Sequence, residues 1–250
     1  MKLTIQGVPI AAGLPCRFVA ELSNNHNGEL ALALDLLDAA KLAGADLAKV
    51  QCYTPDELVL LRGDGPAPEP WGSQGWSMHT LYEYAMTPRP FFEAMFAHAA
   101  RIELPLFASV FGEESLELME SLDCPAYKMA RLDNRSTRLY NALRATGKPV
   151  IVSGSGDDTN RASVLFSDLR LYCPPGYPQP EDAAWPETFT GAPWDGISYH
   201  GTDSRVGRTA AMRGAQMVEA HFHLADHPSR LEAAVSLTPA QFADMVKTHG

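Results

Sequence analysis

Short apolar runs rich in β-branched residues alternate with amphipathic helical patterns along most of the chain. This alternation is typical of βαβ units and predicts a parallel sheet. We predict eight strands, which are Arg17–Leu22, Asp46–Gln51, Pro105–Val110, Ala126–Ala130, Pro149–Ser153, Leu169–Cys173, Gly196–His200 and Gln216–Phe222. We predict helices between or after most of them, at Glu29–Leu42, Pro90–Arg101, Glu113–Leu122, Ser136–Ala145, Asp158–Ser167, Arg205–Arg213 and Pro239–Thr248.

The number of strands bears on the fold class. Eight strands, most of them followed by a helix, favour a single (β/α)8 TIM barrel over an open doubly wound sheet. The first ten residues predict a β-hairpin, so we expect one α/β domain over 1–250, with the hairpin at 1–10 and the barrel at 17–250. Two Gly- and Pro-rich segments, Leu61–Thr80 and Pro174–Pro193, follow strands. We expect them to be lids or mobile loops at the face where such barrels build active sites.

Composition and charge narrow the classes of partner. The chain has 20 basic and 30 acidic residues, a net charge of −10, which argues against a nucleic-acid partner. A phosphorylated or carboxylated substrate would need positive charge concentrated at the site. No apolar run approaches the length of about 18 residues that a membrane span needs. The four cysteines are scattered, with no CxxC pair, so we expect a reducing cytoplasm.

Charged side chains stand at the ends of several predicted strands, where such barrels carry their chemistry. The first strand ends at Glu21, with Asn25 on the loop that follows. The second ends with Lys49 and Gln51 on one face, and the fourth carries Lys128 among apolar neighbours. A lysine buried there needs a partner, which is either an anionic substrate or, for Lys49, a structural ion pair with Glu21.

Two histidines end the seventh and eighth predicted strands, His200 and His221. At adjacent strand ends they would form a divalent-metal site with open positions for water and substrate. Imidazole nitrogens favour Mn²⁺, Fe²⁺, Co²⁺ or Zn²⁺ over Mg²⁺. The alternative is that each is a hydrogen-bonded core residue. We expect four other histidines to be solvated surface groups, namely His79, His98, His227 and His249.

Hydroxyl and aromatic side chains close the third and fifth predicted strands. Ser109 and Phe111 end the third, and Ser153 opens the sequence SGSGDD after the fifth. That sequence is typical either of a phosphate-binding turn or of a helix start capped by Asp157. With the lysines and the histidines, these residues suit a phosphate-bearing substrate beside a carbonyl group to be polarised.

The segment FVAELSNNHNGELALALDLLDAAKLAGADLAKVQ resembles the first two βα units of the sialic acid synthase family. That family condenses phosphoenolpyruvate with an amino sugar, and reads approximately IAEIGxNHxG followed by a helix that ends AGADAVKFQ. The resemblance continues, in the family's order and spacing, through AYKMA, KPVIVSGSG, YCPPGYPQP, ISYHGT and GAQMVEAHFHL. It therefore covers nearly the whole chain.

The resemblance implies a fold, a reaction and a set of site residues. It implies a (β/α)8 barrel that condenses phosphoenolpyruvate with an aldehyde to give a 2-keto-3-deoxy acid and phosphate. Glu21, Lys49, Lys128 and His200 would be the catalytic residues, with Glu21 handling protons. His200 and His221 would hold Mn²⁺, with Mg²⁺ or Co²⁺ as substitutes. The substrate contacts would come from the following residues: Asn25, Lys49, Gln51, Ser109, Phe111, Lys128, Arg131, Ser153 and Tyr177.

This sequence also departs from the family pattern. Arg131 stands where the family has a phosphate-contacting serine, Tyr199 where it has an aspartate, and Pro175 where it has asparagine or serine. The sequence ends at Gly250, so we expect the family's C-terminal antifreeze-like domain to be absent. A second copy of the chain or a partner protein would then supply the sugar contacts of that domain.

Three functional hypotheses follow from these residues. The first is a metal-dependent phosphoenolpyruvate-condensing synthase whose acceptor aldehyde differs from the usual N-acyl mannosamine. The second is another metal-assisted reaction on the same barrel, an aldolase or isomerase that works without phosphoenolpyruvate. The third is a non-catalytic barrel that binds a ligand or serves as a scaffold. Release of inorganic phosphate separates the first hypothesis from the second, and a purified chain that binds no divalent metal even after supplementation would favour the third.

Overall fold

The computed structural model describes residues 3–180, 182–191 and 193–247. Its main feature is a closed barrel of eight parallel strands, in which the last strand pairs with both the seventh and the first. The barrel strands are β3 (Arg17–Glu21), β4 (Leu47–Cys52), β5 (Leu106–Val110), β6 (Tyr127–Met129), β7 (Val150–Gly154), β8 (Leu169–Tyr172), β9 (Gly196–Tyr199) and β10 (Met217–Phe222). The predicted (β/α)8 class is confirmed.

Helices surround the barrel and follow most of its strands. They are α1 (Leu30–Leu42), α2 (Pro55–Arg62), α3 (Met78–Ala85), α4 (Arg89–Arg101), α5 (Glu113–Ser121), α6 (Thr137–Ala145), α7 (Ala162–Leu165), α8 (Ser204–Met212) and α9 (Pro239–Val246). A short strand, β11 (Ser236–Leu237), pairs in parallel with the end of β10. No helix within the described ranges is long and apolar enough to cross a membrane.

The hairpin predicted at the N-terminus is present. It consists of β1 (Leu3–Ile5) and β2 (Val8–Ile10), which pair antiparallel. Ile5 and Ile10 are fully buried, so the hairpin adds its apolar face to the core. The Arg17 side chain donates from Nε to the Pro9 carbonyl at 3.1 Å, which joins the hairpin to the start of β3. The residue Lys2, predicted to open the hairpin, lies outside the described residues.

Strand register explains why charged residues meet at one end of the barrel. Residues paired across parallel strands point to the same side, and Glu21 pairs with Lys49, as Ser109 does with Lys128. One layer deeper, the inward positions are apolar and fully buried, for example Leu47, Phe107 and Ile151. Apolar side chains therefore fill the barrel interior, and polar side chains line it only at the C-terminal ends of the strands, which we call the mouth.

One glycine permits two strands to approach closely. A Cβ at Gly196 would lie 2.0 Å from the Met217 carbonyl oxygen, a distance that no side chain tolerates. Gly196 therefore lets β9 lie against β10 at its first residue. These two strands carry the two candidate metal-binding histidines at their upper ends.

The predicted loop Leu61–Thr80 is partly helical, which corrects that expectation. It contains the end of α2, a 3₁₀ turn at Gly72–Gln74 and the start of α3. Ser77 caps α3 by accepting a hydrogen bond from the Thr80 amide, a start signal hidden among the Gly and Pro residues. The other segment, Pro174–Pro193, forms no helix or strand at the positions that the structure describes.

The helix predicted at Asp158–Ser167 is much shorter than expected. A 3₁₀ turn occupies Gly156–Asp158, and α7 is a single turn. The Asp158 carboxylate accepts from both the amide and the hydroxyl of Ser155, at 2.9 and 3.0 Å. The capping carboxylate is therefore Asp158 rather than Asp157.

The prediction that His98 is a solvated surface group is wrong. His98 is 7% exposed, because α4 buries this face against α1. One ring nitrogen, Nε2, contacts the Asp38 carboxylate at 2.7 Å, and Nδ1 lies 2.6 Å from an Arg101 nitrogen. His227 is exposed and the His79 side chain is 40% exposed, whereas His249 lies outside the described residues.

Candidate active site

Lys49 lies at the centre of the barrel mouth. Its ammonium group forms an ion pair with Glu21, lies 2.8 Å from Ser109 Oγ, and is 3.9 Å from Glu219 Oε1. Burial lowers the pKa of Lys49, but the two carboxylates outweigh it and the net shift is upward. Lys49 is therefore a fixed positive charge, and the ion pair with Glu21 expected from the sequence is present.

Lys128 is the second buried lysine of the mouth. Its ammonium group contacts Glu219 Oε1 and donates to Ser198 Oγ at 3.0 Å. Burial lowers the pKa of Lys128, and the nearby Lys49 charge adds to this, so that Glu219 does not restore the usual value. The difference from Lys49 arises because Lys128 has only one carboxylate beside it.

Glu219 lies between the two lysines and is 2% exposed. Burial raises the pKa of its carboxyl group, but Lys128 and Lys49 outweigh burial and hold the pKa well below its usual range. Ser198 Oγ donates to the same Oε1 atom at 3.0 Å. The four groups form a compact and charge-balanced cluster of two ammonium groups and two carboxylates, the second being Glu21.

Two imidazole rings stand beside this cluster. The ring centroids of His200 and His221 are 5.1 Å apart and the planes are tilted by 53°. His221 Nδ1 lies 3.2 Å from a Glu232 oxygen, and the Tyr177 hydroxyl donates to the other oxygen of Glu232. His200 Nδ1 lies 3.2 Å from the Gln179 amide nitrogen.

The two histidines differ in their electrostatic surroundings. Burial, His221 and Lys128 together hold the pKa of His200 well below its usual value. Burial also lowers the pKa of His221, but the Glu232 carboxylate outweighs it and raises the pKa. In the ligand-free chain, His200 is therefore neutral, and His221 is fixed in orientation by a carboxylate.

The donor set fits a divalent metal. A carboxylate on the second nitrogen of an imidazole is the usual arrangement behind a metal-ligating histidine, and Glu232 provides it for His221. Among the residues that the structure describes, no group of three His, Cys, Asp or Glu side chains is placed to hold a metal ion. The site would therefore be an open one, with two imidazole nitrogens and the remaining positions left to water and substrate.

We expect Glu232→Gln to weaken Mn²⁺ binding by about 10- to 100-fold, because the amide holds His221 less firmly and less basic. Electron paramagnetic resonance of free Mn²⁺ measures this affinity directly, without any assay of turnover. Glu29→Gln, at an exposed surface position, is the matched control and should leave the affinity unchanged. Equal affinity in Glu232→Gln and wild type would contradict this assignment of Glu232.

Among the remaining predicted residues, Gln51 and Ser153 lie in the mouth. Gln51 Nε2 donates to Ser23 Oγ at 3.0 Å and lies 3.3 Å from Glu21 Oε1. Ser153 is 1% exposed, and its hydroxyl has no hydrogen-bond partner within the described part of the chain. Asn25 is elsewhere, since its amide nitrogen donates to the Phe222 carbonyl at 2.8 Å and so ties the first loop to the end of β10.

Three predicted site residues remain, Phe111, Arg131 and Tyr177. The Arg62 guanidinium lies 5.3 Å from the centroid of the Phe111 ring, which is a cation–π contact. The Tyr177 ring stands 5.0 Å from the His200 ring and 5.8 Å from the His221 ring. Arg131 is half-buried, and its positive charge lowers the pKa of the Cys173 thiol against the larger raising effect of burial.

The sequence-based set missed Glu219, Glu232 and Gln179. Glu219 had a usable signal, because it precedes His221 by two residues on one strand and must share its face. Glu232 had none, since it follows an irregular segment after β10. Gln179 lies in the Pro-rich segment, yet its backbone amide donates to the His200 carbonyl at 2.9 Å and its side-chain Oε1 accepts from the His200 amide at 3.0 Å.

Comparison with known proteins places the chain in a family. The sequence model of the NeuB family matches residues 36–163 and 184–249. The chain belongs to the NeuB family. One relative, the pseudaminic acid synthase of Helicobacter pylori, is 32% identical over 93% of this chain and 73% of its own length. Another, the N-acetylneuraminate-9-phosphate synthase of Homo sapiens, is 24% identical over 94% of this chain and 69% of its own length.

Solved structures agree with the fold of this NeuB-family chain. The crystal structure of the N-acetylneuraminic acid synthetase from Leptospira borgpetersenii superposes with a TM-score of 0.83 at 22% identity. The match covers 99% of this chain and 87% of that one. At this level of identity the match establishes a shared barrel architecture, and the named relatives of the chain are synthases.

Proposed function

We propose that this NeuB-family chain condenses phosphoenolpyruvate with the aldehyde of a sugar or sugar-like acceptor, yielding a 2-keto-3-deoxy acid and inorganic phosphate. The observation that carries the proposal is the juxtaposition of two buried lysines with two histidines at one barrel mouth. Cationic side chains suit a donor that bears both a carboxylate and a phosphate. The names of the two relatives described above, both synthases of acidic sugars, support the same reaction.

The reaction balances with water as the third reactant. C3 of phosphoenolpyruvate forms a bond to the aldehyde carbon, water adds at C2, and the bond between C2 and the phosphate oxygen breaks. Lys49 and Lys128 offset the negative charge of the donor, where they act in a water-poor site. Glu21 is held by the Ser23 amide at 2.9 Å and is assigned the proton transfers, as the inward carboxylate paired with Lys49.

His200 and His221 would hold a divalent metal, with Mn²⁺ preferred over Mg²⁺ or Co²⁺. The bound metal would polarise the acceptor carbonyl as a Lewis acid. Glu232 fixes the orientation of His221, and Gln179 fixes the backbone of His200. The Tyr177 ring lies beside both imidazoles, which gives the acceptor an aromatic wall. We assign the acceptor to the side of the mouth that Tyr177 lines.

One of the departures from the family pattern does not favour a different reaction. Tyr199 stands where the family has aspartate, but its position in β9 faces outward, beside Ala220 of β10. Its hydroxyl accepts from the Asp203 amide at 3.0 Å, and its ring packs 5.8 Å from that of Trp185. The replacement therefore leaves the barrel mouth unchanged.

The four cysteines are free thiols, which supports our placement of the protein in the cytoplasm.

Thermal unfolding with candidate ligands tests the donor half of the site. We expect phosphoenolpyruvate, with and without Mn²⁺, to raise the unfolding temperature more than pyruvate or inorganic phosphate does. A ligand at about 100 times its Kd stabilises the folded state by about 2.7 kcal/mol, which such a scan resolves. No stabilisation by phosphoenolpyruvate at millimolar concentration, with Mn²⁺ present, would count against the synthase and favour an aldolase, an isomerase or a binding barrel.

A further inference from the structure

The carboxylate beside His221 is carried by an irregular segment. Residues 224–232, which follow β10, form neither a helix nor a strand. Glu232, at the end of this segment, is nevertheless 9% exposed, and its two oxygens contact His221 Nδ1 and the Tyr177 hydroxyl. No helix or strand holds this carboxylate in place within the segment, so its position depends on local contacts.

Two buried serine hydroxyls hold the backbone of Glu232 from both sides. Ser229 Oγ accepts from the Glu232 amide at 2.9 Å, and Ser236 Oγ donates to the Glu232 carbonyl at 2.7 Å. The Val235 amide also donates to that carbonyl, at 3.0 Å, within the 3₁₀ turn that follows. The two serines are 6% and 1% exposed, so water does not replace either hydroxyl unless the segment opens.

Ser236 ties Glu232 to the strand that carries His221. Ser236 is the first residue of β11, and it pairs with His221 in the parallel register of β10 and β11. Glu232 precedes Ser236 by four residues, and its side chain returns to the His221 ring. The residue that lies beside His221 in the sheet therefore also holds the backbone of the carboxylate that contacts its ring.

Asn25 fixes the direction in which the Ser236 hydroxyl points. Asn25 is fully buried, and its Nδ2 atom donates to Ser236 Oγ at 3.1 Å and to the Phe222 carbonyl at 2.8 Å. Because the Phe222 carbonyl can only accept, the nitrogen end of the amide must face this side. The single proton of the Ser236 hydroxyl is then left for the Glu232 carbonyl. One chain of hydrogen bonds therefore runs from Asn25 through Ser236 to Glu232, and its members strengthen one another.

The loop after β3, which carries Asn25, holds the segment at a second point. Asn27 Oδ1 accepts from the Arg230 amide at 3.0 Å, and Asn27 Nδ2 donates to the Pro228 carbonyl at 3.2 Å. The loop therefore contacts the chain both before and after Glu232. The segment is ordered in this way before a metal binds, which lowers the entropic cost of binding.

We propose that Asn25 and Ser236 are positioning residues of the metal site, which hold the Glu232 backbone so that its carboxylate fixes the His221 ring. The proposal rests on the proposed function, because it needs a divalent metal at His200 and His221. It gives Asn25 a role other than the substrate contact that the family resemblance implies. Groups that orient a metal-ligating imidazole contribute to metal affinity although they do not touch the metal.

Electron paramagnetic resonance of free Mn²⁺, with the full chain, tests this proposal. We expect Ser236→Ala and Asn25→Ala each to weaken Mn²⁺ binding about 3- to 10-fold, less than Glu232→Gln does, because the carboxylate is displaced and not removed. Ser163→Ala is the matched control, since Ser163 is 5% exposed and also donates to a backbone carbonyl, that of Asn134 at 2.6 Å. The control should lower the unfolding temperature about as much as Ser236→Ala does, with unchanged Mn²⁺ affinity.

Double variants separate positioning from a general loss of stability. If Ser236 acts through the Glu232 carboxylate, adding Ser236→Ala to Glu232→Gln should weaken Mn²⁺ binding by less than about twofold. Asn25→Ala and Ser236→Ala together should bind Mn²⁺ about as weakly as either alone, because both act along one chain of hydrogen bonds. Full additivity of Ser236→Ala with Glu232→Gln would overturn the proposal, and so would wild-type affinity in the folded single variants.

The failure of this proposal can be told apart from the failure of the proposed function. If the single variants bind Mn²⁺ like the wild type, the wild-type chain still binds the metal and the proposed function stands. Failure of the wild-type chain itself to bind Mn²⁺ would instead remove the metal from the proposed function, and this proposal with it.

Discussion

Replacing Lys128 with methionine is expected to lower the condensation rate at least about a thousandfold while the barrel stays folded. Lys128 is 4% exposed, and its ammonium group is one of two buried positive charges available to the leaving phosphate. Loss of one preorganised charged donor in a water-poor site costs about 10²- to 10³-fold in turnover, and a full positive charge is worth more. Methionine keeps the length of the side chain, and Glu219 retains Lys49 at 3.9 Å.

The measurement for Lys128→Met is phosphate release under saturating substrates, together with circular dichroism and a thermal scan. Lys148→Met is the matched control, because Lys148 is also a carboxylate-paired lysine but lies outside the mouth, against Glu120 at 2.5 Å. The control should keep wild-type turnover. A folded Lys128→Met protein with full activity would show that the lysine is structural, as an ion-pair residue of the core.

Replacing Glu219 with glutamine is expected to destabilise the protein by about 3–5 kcal/mol, because it leaves the buried Lys128 ammonium group without a carboxylate. Lys49 keeps its partner Glu21, so the loss concentrates on one lysine. An anionic ligand can take the place of the missing carboxylate. We therefore expect phosphoenolpyruvate to stabilise Glu219→Gln more than it stabilises the wild-type chain.

Chemical denaturation with and without phosphoenolpyruvate measures both parts of this prediction. Glu120→Gln provides the comparison, since Glu120 also pairs with a lysine but its side chain is 39% exposed. An exposed pair contributes about 0–1 kcal/mol, so the control should unfold nearly as the wild type does. Equal losses of unfolding free energy in Glu219→Gln and Glu120→Gln would mean that burial does not determine how strongly the Glu219 contacts stabilise the protein.

The sequence predicted the barrel and most of the mouth, because both depend on short-range periodicity. Strand alternation places Lys49, Gln51, Ser109 and Lys128 on the inner face, and the structure finds them at one end of the barrel. His200 and His221 follow the same rule on the last two strands. Glu219 could have been included on that basis, since it shares the inner face of β10.

What the sequence did not predict depends on contacts between distant segments. The ion pair of Arg62 with Asp133 joins residues 71 positions apart and forms only once α2 packs against the 3₁₀ turn Arg131–Asp133. Glu232 reaches His221 from an irregular segment that no periodicity marks. The helices α2 and α3 were not predicted, because the Gly and Pro content of the segment as a whole indicates a loop. A helix can nevertheless begin at a single capping residue, here Thr54 for α2 and Ser77 for α3.

The central claim is that phosphoenolpyruvate is consumed in a carbon–carbon condensation at this mouth. Its most direct test is to incubate the chain with Mn²⁺, a panel of N-acyl amino-sugar aldehydes, and phosphoenolpyruvate carrying oxygen-18 in the bridge between C2 and phosphorus. We predict aldehyde-dependent release of phosphate that carries the label, in step with formation of a 2-keto-3-deoxy acid. Product formation without phosphate release, or release of unlabelled phosphate, would contradict the account.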